Sequence, residues 1–169
     1  VVPHILDCYT NHGAGVEHYA QVCKERGWEA GNDFVPHDAR VTEWGTGRTR
    51  LESMVIQGLH PKLVSNVSKL DGINAARLTL RNAVFHPRCE EFGISALEQY
   101  RREWDDDRKM FAANEVRDWT THLSDAFRYL SVAWREVKAV DAPVKRKQMP
   151  GQVYLPGPPV PPSGVKIRI

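Results

Sequence analysis

The sequence lacks any apolar run approaching the roughly 18 residues that a membrane-spanning helix requires, and its first residues lack the basic, apolar, small-residue order of a secretory signal. Both absences point to an intracellular chain with no membrane partner. Cysteine is scarce. Cys8, Cys23 and Cys89 are odd in number, widely separated and form no Cys-x-x-Cys pair, so neither a disulfide framework nor a zinc site is indicated and reduced, structural thiols are the expectation. An excess of one charge is also missing. With 23 Lys and Arg against 21 Asp and Glu, the net charge of +2 is too small to declare a nucleic-acid partner, so any DNA contact must rest on local basic groups. There is no GxxxxGK[ST] phosphate loop, and ATP hydrolysis is not expected.

What is present is ordinary for a folded chain: 169 residues, 41% hydrophobic and 26% charged, enough for one domain with a full core. The composition changes at Asp141. Seven of the eleven prolines lie from there onward, six of them behind the basic cluster Lys145-Arg146-Lys147, so residues 141–169 read as an extended tail and residues 1–140 as the domain. The tail is either an unstructured end or a polyproline arm with apolar footing at Val153-Tyr154-Leu155.

Along the domain, residues 1 to 9 alternate with β-favouring types and reach a turn at Asn11-His12-Gly13, which predicts a strand. Val16 to Arg26 reads as a helix closed by Gly27, and Asp33 to Asp38 as a short strand confined by Pro36 to an edge or a strand end. Thr49 to Gln57 predicts a helix stopped by Gly58, Leu63 to Val67 a strand, Asp71 to about Leu80 a helix capped by Asp71, and Ser95 to Glu103 another helix. Asp105-Asp106-Asp107-Arg108-Lys109 reads as a solvated hairpin tip; adjacent loop acids without an EF-hand pattern seldom converge on one ion. Strands and helices alternating in this way predict an α/β domain with a mixed central sheet flanked by helices, whose sites lie at strand ends and nearby helix termini.

The most informative segment runs from Arg117 to Tyr129. Asp118, His122 and Asp125 recur at i, i+4 and i+7, and at about 100° per residue such positions share one helix face. Trp119, Leu123, Phe127, Leu130, Trp134 and Val137 form an apolar set on a neighbouring face. Asp118 also suits a helix N-cap, whereas Asp125 in mid-helix beside Ala126 and Phe127 favours a functional role. His122 fits a metal ligand or a proton carrier.

Five motifs then resemble, in order and spacing over residues 1 to 135, the C-terminal nuclease domain of the large terminase subunit of tailed bacteriophages. They are Pro36-His37-Asp38-Ala39, the run Glu43 to Arg50 containing Gly45-Thr46-Gly47-Arg48, Asp71-Gly72-Ile73-Asn74-Ala75-Ala76-Arg77, the run Gly93 to Arg101, and Asp118-Trp119 through Tyr129. The resemblance implies an RNase H-like fold, an endonuclease that cuts concatemeric double-stranded DNA when packaging starts and ends, and work in the cytoplasm of a bacterial host. It implies two Mg²⁺ or Mn²⁺ ions held by three acidic positions, of which Asp38 matches the second and Asp125 the third, with His122 at a histidine that some members place beside the metals. Hard cations prefer carboxylate oxygen, and paired metals suit phosphodiester hydrolysis.

The first acid of that family lies on a strand expected to precede Val1, so this chain alone is expected to bind metal or cut poorly. Asp7 matches an acid in the second strand and, with Asp118, reads as a structural or supporting group behind the metals. The parent proteins add an ATPase motor domain, a portal and a small terminase subunit as partners. Arg48 and Arg50, then Arg108 and Lys109, are the candidate phosphate contacts, or else ordinary surface charges. The motif before the late helix often begins His-Asp-Trp in the family and is Arg117-Asp118-Trp119 here. Two other readings stay open: a different RNase H-like nuclease of the resolvase or transposase type, and a non-catalytic module that docks DNA or the portal.

Overall fold

Local capping chemistry sets most helix starts in the computed structural model, which describes residues 2–141 and 167–168. Helix α1 (Val16–Glu25) ends before Gly27, whose φ of 68° lies in the left-handed region that glycine enters without a Cβ penalty. Helix α2 (Arg50–Ile56) opens with a capping box. The Thr49 hydroxyl accepts from the Glu52 N–H at 3.2 Å while the Glu52 carboxylate accepts from the Thr49 N–H at 2.8 Å. Helix α3 (Lys69–Leu80) is capped by Ser68, which accepts from the Asp71 N–H at 3.1 Å; the cap expected at Asp71 therefore lies three residues earlier, and Asp71 returns the bond through its own carboxylate. Helix α4 (Ser95–Gln99) follows a 3₁₀ turn (Pro87–Cys89) and a π-helical turn (Glu90–Ile94).

The strands are shorter than the sequence suggested. Strand β1 is His4–Ile5 alone and pairs in parallel with β4 (Val84–Phe85). Strand β2 (Asn32–Val35) lies between β3 (Pro61–Leu63) and β7 (Ile167–Arg168), both parallel to it. Strand β2 stops before Pro36, as a residue without an N–H requires, and β3 sits earlier than the expected Leu63 to Val67. Strands β5 (Arg102–Asp105) and β6 (Met110–Glu115) form an antiparallel hairpin, so the helix expected to reach Glu103 ends at Gln99. The hairpin wins there because Trp104 stacks edge-on against Phe111, with ring centroids 5.0 Å apart, a cross-strand pair that no single-strand periodicity reveals. The hairpin tip is the expected solvated turn. Asp105 accepts from the N–H groups of Asp107 and Arg108 at 3.1 and 3.0 Å, which commits its carboxylate to the turn.

The architecture is mixed α/β, but among the described residues the strands form three separate small sheets rather than one central sheet. Helix α5 (Thr120–Asp141) packs against the β1–β4 sheet and the β2 sheet. Its Phe127 and Leu130 join Ile5 and Cys89 in one buried cluster, while Val132 and Ala133 join Val64 and Ala75 in a second, against which Phe34 and Tyr129 pack. The helix is thus buried on two sides, not on the single face read from its periodicity, and Trp119 precedes it and stays exposed. Among the described residues no helix is long and apolar enough to cross a membrane. The proline-rich reading of residues 141–169 lies outside the described residues, apart from Asp141 and strand β7.

Candidate functional site

Asp38 sits where the sequence placed it, just past a strand end, on the 3₁₀ turn His37–Arg40 that follows β2. Its exposed carboxylate faces Arg50 at 3.6 Å, and the same guanidinium lies 3.5 Å from Glu43. Two acids therefore converge on one cation. The sequence had assigned that cation to phosphate and had left Glu43 without a role. The loop between them is closed by a Thr42–Thr49 bridge and by the Glu43 N–H donating to the Arg48 carbonyl at 2.8 Å, and Gly47 turns it at φ 65°. Arg48 is exposed on this loop and acts on Glu52 at long range.

Asp125 lies on α5 and accepts from the Nε of Arg128 at 3.1 Å. Arg128 is only 9% exposed, stacks over Tyr129 at 4.3 Å and packs its stem on Gly72. Burial works against its charge, but Tyr129 and Asp125 outweigh burial and raise its proton affinity above the ordinary value. Tyr100, with its hydroxyl pushed up by burial, lies within electrostatic reach of this pair and of the Lys69–Glu115 ion pair. The mid-helix acid is thus held by a mostly buried arginine, a partner that spacing alone did not single out.

His122 is exposed on α5, with its ring 6.2 Å from that of His12 in an edge-to-face arrangement. His12 had been read only as part of the Asn11-His12-Gly13 turn; its proximity to α5 is a long-range contact with no local signal. Asp118 takes the capping role. Its carboxylate accepts from the Thr120 N–H at 2.9 Å and from the Thr120 hydroxyl at 2.6 Å, and Arg101 binds its other oxygen at 3.1 Å. The Thr120 hydroxyl, then the Thr120 N–H, hold this carboxyl below its ordinary value. Asp7 is a structural tie: it accepts from the Cys8 N–H at 2.9 Å and binds Arg26, whose guanidinium lies over Tyr9 and Trp28. Arg108 and Lys109 sit at the hairpin tip, each 3.7 Å from an aspartate three residues earlier.

Asp38 lies four residues after Phe34 and Asp125 four residues before Tyr129, two aromatics that pack against the same buried cluster. The oxygens of the two acids have the donor chemistry that Mg²⁺ or Mn²⁺ takes. Among the described residues, however, no three His, Cys, Asp or Glu side chains converge on a point that could hold a metal ion, and each of the two acids faces an arginine. The described residues alone do not complete a two-metal set.

A large apolar groove of about 480 Å³ lies beside β1. One wall is the segment Val2 to Tyr9, another is Gly27, Trp28 and Ala30 on the way to β2, and the floor is α5 through Leu123, Ala126, Phe127 and Leu130. The groove therefore runs between the β1–β4 sheet and the approach to β2; Leu123 and Ala126 of its lining flank Asp125 in sequence, while Asp125 itself does not line it.

Compared with family models, with curated proteins and with solved structures, the chain matches none.

Proposed function

We propose that this chain is the nuclease module of a phage-type DNA-packaging terminase, a metal-dependent endonuclease of RNase H-like fold acting on double-stranded DNA. The observation that carries the reading is the open groove between the β1–β4 sheet and the approach to β2. In the family the motifs resemble, the first acid rides on a strand ahead of this one. A strand laid in the groove would run alongside the segment that carries β1 and cover the apolar floor formed by α5.

On this reading Asp38 and Asp125 would offer carboxylate oxygens to Mg²⁺ or Mn²⁺, with His122 as ligand or proton carrier, and the ions would supply the Lewis acidity and activated water of phosphodiester hydrolysis. Arg50 and Arg128 are the cations that neutralise these acids while the set is incomplete. Arg48, Arg108 and Lys109 meet phosphate oxygens, and Arg50 joins them when Asp38 turns to metal. In the parent particle the module works with an ATPase motor, a portal and a small subunit in the bacterial cytoplasm.

A non-catalytic docking module is the second reading, favoured by the arginine opposite each candidate acid. Mn²⁺ binding followed by electron paramagnetic resonance separates the two, in the chain extended upstream through the implied strand. The nuclease reading expects saturable binding that is lost in Asp38→Ala and in Asp125→Ala; binding unchanged by both substitutions, or none at all, would reject it.

A further inference from the structure

Cys8 and Cys89 are far apart in sequence and meet in the fold. Cys8 follows β1, and Cys89 closes the 3₁₀ turn after β4, so the β1–β4 pairing draws the two thiols together. Cys8 packs against the cluster that contains the fully buried Cys89. The point where a Cβ on Gly93 would stand is 3.1 Å from the Cys8 Sγ and 3.5 Å from the Cβ of each cysteine, so a glycine is what lets the pair fit. The two thiols lie within electrostatic reach of one another, and the Cys89 S–H donates to the Ile5 carbonyl at 3.5 Å. Both cysteines line the apolar groove, Cys8 half-buried and Cys89 beneath it. Cys23 lies on α1.

We infer that Cys8 and Cys89 form a dithiol site that closes to an intramolecular disulfide by exchange with a low-molecular-weight disulfide. The Cys8 thiolate, reached through the groove, attacks one sulfur of the small disulfide; that S–S bond breaks, a mixed disulfide forms and one small thiolate leaves. The Cys89 thiolate then attacks the Cys8 Sγ, forms the Cys8–Cys89 bond and expels the second small thiolate. The two protons lost by the cysteines end on the two released thiols, so the protein is oxidised by two electrons and the small disulfide is reduced by two. The bond staples β1 to the turn after β4 and fixes one wall of the groove. Burial pushes the Cys8 thiol up and the Cys89 thiol up to about 11, so thiolate is scarce at neutral pH. Closure is accordingly slow near neutrality and accelerates as pH rises.

The test uses the full chain carrying Cys23→Ser, incubated with oxidised glutathione at mildly alkaline pH and followed by thiol titration and peptide mapping. The expected result is loss of both thiols, no retained glutathione and a joined pair of peptides containing Cys8 and Cys89. With Cys89→Ser added, Cys8 is expected to hold glutathione as a stable mixed disulfide. With Gly93→Ala added instead, closure is expected to slow several-fold and the mixed disulfide to accumulate. Stable glutathionylation of the Cys23→Ser protein, a Cys8-linked dimer, or two free thiols after a control peptide thiol has fully oxidised would each overturn the inference.

Discussion

Replacing Gly72 by alanine adds one methyl group to α3 where it packs against Arg128 of α5. The three nearest atoms to the new carbon all belong to Arg128: Cγ at 2.9 Å, Cδ at 3.0 Å and an Nη at 3.2 Å. The first two are near the root of the side chain, so the overlap cannot be relieved by swinging only the tip. Arg128 must leave its place, and with it goes the 3.1 Å bond to Asp125. Overpacking of this kind costs about 1–3 kcal/mol, and a hydrogen bond to a charged group contributes about 1.5–3 kcal/mol, less here because Asp125 is partly solvated. Alanine returns about 1 kcal/mol in helix propensity. The net expectation is a loss of about 1–3 kcal/mol, read from urea unfolding midpoints at constant m-value. In an Arg128→Ala background the same substitution is expected to become neutral or to stabilise by up to about 1 kcal/mol, since the obstructing stem is gone. Stabilisation by Gly72→Ala in the wild-type background would refute the packing argument.

Thr49→Ala removes the capping box of α2 and is expected to cost about 1 kcal/mol, whereas Thr49→Ser is expected to cost much less; equal losses in urea titrations would show that the cap contributes nothing. Acid sensitivity follows from Asp118, whose carboxyl is held below its ordinary 3.8 by Thr120. Because the folded value is the lower one, its stabilising effect is complete above the unfolded value and fades as pH falls through the folded value. Asp118→Asn, which still caps, is therefore expected to lose less stability than the wild type between about pH 5 and pH 3. Parallel melting curves for the two proteins across that range would contradict this.

Short-range chemistry made much of the fold legible. Gly27 and Gly58 stop α1 and α2 at left-handed φ values of 68° and 80°, Pro36 ends β2, and α2 starts beside the expected Thr49. What escaped was long-range. The Trp104–Phe111 stack that turns residues 102 to 115 into a hairpin, the parallel pairing of only His4–Ile5 with Val84–Phe85, and the second buried side of α5 all depend on partners distant in the chain. The candidate site divides in the same way. Asp38 at a strand end and Asp125 on the late helix followed from local pattern, while Glu43 and His12 acquire neighbours, and Arg128 its packing on Gly72, only when the chain folds. Asp118 was readable as a cap, and the structure gives it that role.

The most direct measurement is plasmid cleavage in Mg²⁺ or Mn²⁺ by the chain extended upstream through the implied strand, with and without Asp125→Ala. Metal-dependent cutting by the extended protein that disappears with Asp125→Ala is the expected result. Cutting that survives the substitution at full rate would contradict the assignment of Asp125, and a folded, DNA-bound extended protein that never cuts would contradict the nuclease reading itself.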